Sequence, residues 1–143
     1  MTRSCQGATL TQFAKLIPMD DLYRENILEH YRHPHNFGKL DNPDIEKQQG
    51  NPFCGDQIGI TIKLSQNKKE IKSINFNGQG CAISIASASL LTDFVTGRQI
   101  KEIMNLKKEK VIELLGVSLS PTRLKCALLP LETIQSALSL KNK

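Results

Sequence analysis

The chain has 143 residues, 39% hydrophobic and 23% charged, as is typical of one soluble globular domain. Its formal charge of +5 comes from scattered basic residues with few aromatics between them, which argues against a nucleic-acid surface. No apolar stretch is long enough to span a membrane, and four cysteines without a secretory signal favour free thiols over a disulfide scaffold.

Residues 1–18 differ in composition from the rest of the chain. They contain Arg3 and Lys15 but no acidic residue, and they are only weakly amphipathic. We therefore predict a flexible N-terminal tail at 1–18, with Cys5 as a bystander, and a folded domain at 19–143. The expected location is cytoplasmic, or an organelle matrix if residues 1–18 are a targeting segment.

The first half of the folded domain predicts one helix and a small sheet. Apolar residues at 23, 27, 28 and 31 follow helical spacing, and Pro34 ends that helix. Residues 57–64 and 70–77 alternate apolar and polar side chains, as half-buried strands do, and residues 65–69 form the hairpin loop between them. An edge strand at 45–49 completes an antiparallel sheet of about three strands.

The second half predicts helices only. Residues 81–95 are small and apolar on most sides, which favours a closely packed helix ending at Gly97. Shorter helices follow at 98–104 and 107–115, and Pro121 begins the last helix, which Pro130 should kink or divide. The fold class is therefore α+β: a single domain with helices packed on a small antiparallel sheet.

Three cysteines and one acid have contexts suited to holding a metal centre. Cys54 and Asp56 bracket Gly55 just before a strand, Cys81 begins a helix after two glycines, and Cys126 lies early in the last helix. Thiolates select zinc or iron–sulfur clusters, whereas a carboxylate binds such centres less tightly. A set of three cysteines and one aspartate would therefore bind a metal centre firmly enough to assemble it and loosely enough to release it.

A structural reading of the same residues competes with this one. Free cysteine is often merely a small buried residue, and Asp56 could simply hydrogen-bond its own turn. The spacing also lacks a CxxC pair, which would be a stronger metal signal. The joint context favours the metal site, because each cysteine follows a turn or a helix start.

These segments closely resemble the iron–sulfur cluster assembly scaffold family of NifU, IscU and SufU. The resemblance is carried by Asn51-Pro52-x-Cys54-Gly55-Asp56, Gly78-x-Gly80-Cys81-Ala82-Ile83-Ser84 and Arg123-Leu124-Lys125-Cys126-Ala127, and by the earlier stretch Tyr31-Arg32-His33-Pro34-His35-Asn36-Phe37-Gly38. It covers residues 19–138 in order and leaves residues 1–18 outside.

The resemblance implies that Cys54, Asp56, Cys81 and Cys126 converge on one exposed site. It implies a scaffold rather than an enzyme: sulfur comes from a cysteine desulfurase, joins iron in a transient [2Fe–2S] cluster, and passes to acceptor apoproteins. Cys126 and Cys54 are the candidate persulfide acceptors, and Asp56 is the labile ligand. The resemblance places no ligand at the histidines, which are expected to end a helix and to form surface contacts.

Two alternatives remain. A SufU-like protein would bind zinc at the same residues and act as a sulfurtransferase partner of the desulfurase, so sulfurtransferase activity is left open. A structural zinc module would bind zinc only to hold its fold, would serve protein interactions and would not stimulate the desulfurase. Lys125 stands where IscU proteins have histidine, as in SufU, yet the extra SufU segment between the last two cysteines is missing. The IscU motif that an Hsp70-type chaperone recognises is only echoed at residues 119–123, which weakens the prediction of that partner.

Overall fold

The computed structural model describes residues 19–51 and 55–141, so the predicted tail at 1–18 lies outside the described residues. Among the described helices, none has both the length and the apolar character needed to cross a bilayer. In chain order the described elements are α1 (Met19–Arg32), β1 (Ile45–Asn51), β2 (Asp56–Leu64), β3 (Ile71–Gln79), α2 (Ala82–Val95), α3 (Ile100–Met104), α4 (Lys108–Leu115) and α5 (Pro121–Lys141).

The three strands form an antiparallel sheet in the order β1-β2-β3, which confirms the predicted sheet. At one end of the first pair, Asn51 lies opposite Asp56, while near the other end Ile45 lies opposite Ile62. Ile58, Ile60 and Ile62 are fully buried on one face of β2. Because side chains alternate between the two faces of a strand, Asp56 belongs to the same inward face as these isoleucines.

Helices α2 and α5 cover the inward face of the sheet and contact each other. Ten of the fourteen residues of α2 are buried, as its small apolar sequence predicts. The Ser87 hydroxyl donates a hydrogen bond of 2.6 Å to the backbone carbonyl of Ala127 on α5. The Thr133 hydroxyl of α5 lies 3.3 Å from the Gln49 side-chain oxygen of β1. Two helices that carry predicted ligand cysteines are thus fixed to each other and to the sheet.

Pro130 lies inside one continuous helix, so the predicted alternative in which it divides the last helix is wrong. Proline cannot donate a hydrogen bond to the carbonyl four residues earlier, which here belongs to Cys126. Leu129 and Leu131 on either side of it are buried in the core. Tertiary packing of these side chains offsets the lost hydrogen bond and keeps the helix whole.

The segment after α1 is fastened along β3. The amide of Gly38 donates to the Phe76 carbonyl over 2.7 Å, and the amide of Phe76 donates to the Asn36 carbonyl over 2.9 Å. The rings of Phe37 and Phe76 meet edge to face, with centroids 5.3 Å apart. The histidine-rich stretch therefore ends α1, as predicted, and also extends the sheet edge.

Candidate metal centre

Asp56 is placed by the hairpin that joins β1 to β2. The Gly55 amide donates a hydrogen bond of 2.8 Å to the Asn51 carbonyl, which closes the connection just before Asp56. The Asp56 side chain is on the inward face of the sheet, and the residue is only 4% exposed. A carboxyl group is thereby held at the rim of an apolar core, where it needs a partner.

Cys81 provides that partner from the position just before α2. It is the N-cap residue, and its amide donates a hydrogen bond of 3.2 Å to Asp56 Oδ1. Its Sγ lies 3.6 Å from Asp56 Oδ2, close enough for the thiol to donate to the carboxylate. One aspartate therefore fixes both the backbone and the sulfur of Cys81.

Two glycines allow this close approach. Gly78 has φ +129°, and a Cβ there would lie 2.0 Å from the Gln57 carbonyl oxygen, so a side chain would break the β2–β3 pairing. A Cβ on Gly80 would lie 3.0 Å from Asp56 Cγ and 2.3 Å from Ser84 Oγ. Gly78 thus lets β3 pair closely with β2, and Gly80 lets the backbone pass close to the Asp56 side chain.

Cys126 comes to the same place from α5. It is 2% exposed and lies in the second turn of that helix. The ligand atoms of Asp56, Cys81 and Cys126 all lie within 4.8 Å of one another. A strand, a helix start and a helix interior, separated by up to 70 residues, thus bring one carboxylate and two thiols together.

The donor set fits a tetrahedral metal. With metal–sulfur bonds of about 2.3 Å and metal–oxygen bonds of about 2.0 Å, neighbouring ligand atoms stand roughly 3.5–3.8 Å apart. The 3.6 Å between Cys81 Sγ and Asp56 Oδ2 already matches such an edge. Thiolates with one carboxylate suit zinc or iron. The three ligand atoms, which lie within 4.8 Å of one another, would draw closer together around a bound metal.

Cys54, two positions before Asp56 in the sequence, lies outside the described residues. The expectation of an exposed site is only partly met, because Asp56 and Cys126 are buried and Cys81 is half-buried. Their places on the inward faces of β2 and α5 account for this burial.

His30 and His35 form a separate hydrogen-bonded cluster with Ser89 and Asp93. His30 Nδ1 lies 2.7 Å from the Ser89 hydroxyl, which also accepts the His35 amide over 2.8 Å, and His35 Nδ1 lies 2.5 Å from Asp93 Oδ2. Burial and the neighbouring His35 lower the pKa of His30, against weaker opposing effects of Asp93 and Glu29. Within the described ranges, the group able to hold a metal contains no histidine.

Sequence reasoning did not single out the buried serines of α2. Ser84 and Ser89 are both fully buried, the first beside Cys81 and the second beside His30. The spacing of three residues from Cys81 to Ser84 signals one turn of helix, and it could have identified Ser84. Ser89 contacts residues more than fifty positions away, so no local pattern identifies it.

A groove borders the site between α1 and the first turns of α2 and α5. Its volume is about 400 Å³, and Arg24, Ala82 and Arg123 are among the residues that line it. Ala82 follows Cys81 directly, and Arg123 lies one turn before Cys126. The groove is therefore a concave surface that contains two arginines and adjoins the helix turns bearing Cys81 and Cys126.

Several known proteins have similar sequences. The family described as NifU-like N terminal domain matches residues 22–142, and the chain belongs to this family. The iron–sulfur cluster assembly scaffold protein IscU of Aquifex aeolicus is 37% identical, over 81% of this chain and 73% of the relative. The iron–sulfur cluster assembly enzyme IscU of Drosophila melanogaster is 39% identical, over 82% and 77%. The zinc-dependent sulfurtransferase SufU of Bacillus subtilis is 33% identical, over 85% and 92%.

Solved structures share the fold. A SufU from Fervidobacterium islandicum, described as an iron–sulfur cluster assembly scaffold for the SUF system, superposes with a TM-score of 0.71 at 26% identity, over 80% of this chain and 94% of that one. The N-terminal part of a NifU-like protein from Brucella abortus gives 0.69 at 19% identity, over 87% and 97%, and this likeness concerns the fold alone. The predicted fold class and family resemblance are both confirmed.

Proposed function

We propose that this member of the NifU-like family is an iron–sulfur cluster assembly scaffold. Residues 19–143 would accept sulfur from a cysteine desulfurase, bind iron, assemble a transient [2Fe–2S] cluster on Cys54, Asp56, Cys81 and Cys126, and deliver it to acceptor apoproteins. The single observation that carries the proposal is the convergence of the ligand atoms of Asp56, Cys81 and Cys126 within 4.8 Å. The named scaffold relatives support it.

The hydrogen bonds of the site suit a centre that is loaded and unloaded. Metal binding requires the thiolate form of cysteine, so Cys81 must lose the proton that it directs towards Asp56. Asp56 then faces the metal with an oxygen, a harder ligand than sulfur and a weaker one for iron or zinc. A ligand set with one weak member favours exchange, which a scaffold needs and a structural metal site does not.

Sulfur transfer needs a thiolate that can reach the donor. The thiolate attacks the outer sulfur of the desulfurase persulfide, a new sulfur–sulfur bond forms, and the desulfurase thiolate leaves. Cys126 and Cys54 are the candidates. Since Cys126 is 2% exposed, attack by Cys126 requires the site to open, for example when a partner occupies the neighbouring groove.

Mass spectrometry decides between the two cysteines. The metal-free protein is incubated with desulfurase and cysteine, and peptides are searched for one added sulfur. We expect the added sulfur on Cys126 or Cys54, and a Cys81→Ser variant serves as the matched control that keeps both acceptors. Sulfur found on Cys5 alone would contradict the proposed role of both residues.

A zinc-dependent sulfurtransferase partner of the desulfurase is the second candidate. SufU of Bacillus subtilis aligns over 92% of its length, and Lys125 rather than histidine precedes Cys126, as the SufU resemblance implies. In this function zinc would stay bound to the same residues, fix their geometry and favour thiolates. One cysteine would carry sulfur, and no cluster would form.

Metal and sulfide analysis of protein purified without oxygen separates the two functions. A scaffold should be red-brown, with iron and acid-labile sulfide in equal amounts, after incubation with desulfurase, cysteine, ferrous iron and a thiol reductant that converts persulfide sulfur to sulfide. A sulfurtransferase partner should be colourless, contain zinc, and stimulate the desulfurase. Protein that contains no metal and leaves the desulfurase rate unchanged would contradict both functions.

A further inference from the structure

A buried hydroxyl beside the Cys81 sulfur has no part in the function proposed so far. Ser84 is fully buried in the first turn of α2. Its Oγ donates a hydrogen bond of 3.1 Å to the Cys81 carbonyl and lies 3.8 Å from the Cys81 sulfur. The hydroxyl is therefore in contact with both the backbone and the side chain of a candidate ligand.

The Cys81 thiol and the Ser84 hydroxyl each have a single hydrogen to donate. A thiol has one hydrogen, and in this structure the Cys81 thiol has the nearer acceptor in Asp56 Oδ2, at 3.6 Å. The single hydrogen of the Ser84 hydroxyl points to a carbonyl. No hydrogen bond from Ser84 to sulfur is needed while Cys81 keeps its proton.

Metal binding changes this count. The Cys81 thiol loses its proton, the sulfur becomes a charged acceptor, and Asp56 has no hydrogen to give it. The Ser84 hydroxyl can then turn about its own C–O bond from the carbonyl to the sulfur. A charged acceptor makes the stronger hydrogen bond, so the turn is favourable.

The backbone provides room for this arrangement. A Cβ on Gly80 would stand 2.3 Å from Ser84 Oγ and 3.0 Å from Asp56 Cγ. Gly80 is thus the residue that lets the hydroxyl and the carboxylate flank Cys81 from two sides. The packing around Ser84 therefore fixes its hydroxyl beside the Cys81 sulfur.

We propose that Ser84 is a positioning residue which donates a hydrogen bond to the Cys81 thiolate in the metal-loaded protein. The inference rests on the proposed function, in that Cys81 is taken as a metal ligand. Hydrogen bonds to ligand sulfurs draw electron density from the metal–sulfur bond and raise the reduction potential of clusters. Ser84 would therefore moderate the donation from Cys81 and help to keep the bound centre exchangeable.

Cobalt titration of the metal-free protein tests this without any activity assay. Co²⁺ bound by thiolates gives a sulfur-to-cobalt charge-transfer band that reports electron donation by sulfur. In Ser84→Ala we expect the band at longer wavelength than in the wild type, because the sulfur has lost its hydrogen-bond donor. Ser89→Ala is the matched control: it removes another fully buried hydroxyl of α2, five residues further on, and should leave the band unchanged.

The outcomes separate the two proposals. A wild-type protein without a thiolate–cobalt band contradicts the metal site itself and the role of Ser84 with it. A wild-type band that Ser84→Ala leaves unchanged, or that Ser89→Ala moves equally, contradicts the role of Ser84 alone. Should Ser84→Ala not fold, the wild type decides: transfer into D₂O should shift its cobalt–sulfur stretching frequency, and an unchanged frequency overturns the inference.

Discussion

The polar groups at the two ends of helix α2 serve different purposes. At the N-terminal end, Cys81 contacts Asp56 and Ser84 over 3.2 to 3.8 Å. Further along the same helix, Ser89 contacts His30 and His35 over 2.7 and 2.8 Å. At the first end the thiol is a weak hydrogen-bond donor, which can give up its proton to a metal, whereas the nitrogen–oxygen hydrogen bonds at the second end tie α1 to the core.

The difference shows how one helix can contribute both to the metal site and to the stability of the fold. A metal must replace the hydrogen bond between the Cys81 thiol and Asp56, and a weak thiol donor makes that replacement cost little. Groups that only stabilise the fold contribute most when all of their hydrogen bonds are made. Substitutions at the first end should therefore change metal binding at little cost in stability, and those at the second end should do the reverse.

The largest expected effect is that of Gly80→Ala. The new methyl group would push Asp56 and Ser84 away from Cys81, so metal affinity should fall by about 100-fold. Competition against a chromophoric chelator measures the affinity. Gly97→Ala is the control: its Cβ meets nothing within 4 Å, but φ is +84°, so it should cost about 1 kcal/mol of stability and leave metal binding intact.

Asp56→Ala should make a reconstituted cluster persist several-fold longer and pass more slowly to an acceptor apoprotein, since the harder, weaker ligand is gone. The decay of visible absorption under air and the transfer rate measure the two effects. Asp56→Asn, which keeps an oxygen acceptor for the Cys81 amide, separates loss of charge from loss of the hydrogen bond. Unchanged lifetime and transfer in Asp56→Ala would refute its role as the labile ligand.

Ser89→Ala tests the saturated end of the helix. It removes a hydroxyl that contacts both His30 and His35 in a buried position, so unfolding should require about 2–3 kcal/mol less free energy. Urea denaturation of the metal-free protein measures this loss. Metal affinity should stay at the wild-type value, and a parallel loss of affinity would show that the two ends are not independent.

The smallest effect concerns pH. Burial and His35 lower the pKa of His30 in the folded protein, while Asp93 and Glu29 oppose them, so the unfolded chain takes up a proton first as the pH falls below about 6.5. Stability should therefore decrease as the pH falls through that value, until the folded state is protonated too. In His30→Asn this part of the pH dependence should disappear, and an unchanged profile would mean that other groups cause it.

Local patterns predicted most of the fold. Period-two alternation located β2 and β3, and helical spacing with Gly97 located the end of α2. The same reasoning left open whether Pro130 divides the last helix, because the buried leucines that hold α5 together act through tertiary packing. Local propensity cannot decide a case in which packing opposes it.

The candidate site was predictable only in its residue types. The contexts of Asp56, Cys81 and Cys126 suggested ligands, but their convergence depends on the β1–β2 register and on the contact between α2 and α5. The burial of Asp56 and Cys126 depends on the same contacts. These are properties of the folded chain, and no spacing in the sequence encodes them.

X-ray absorption at the zinc edge of zinc-loaded protein tests the central claim most directly. The account predicts three sulfur ligands at about 2.3 Å and one oxygen at about 2.0 Å, and one sulfur fewer in each of Cys54→Ser, Cys81→Ser and Cys126→Ser. A wild-type spectrum dominated by nitrogen and oxygen, or a sulfur count that none of these substitutions lowers, would contradict it.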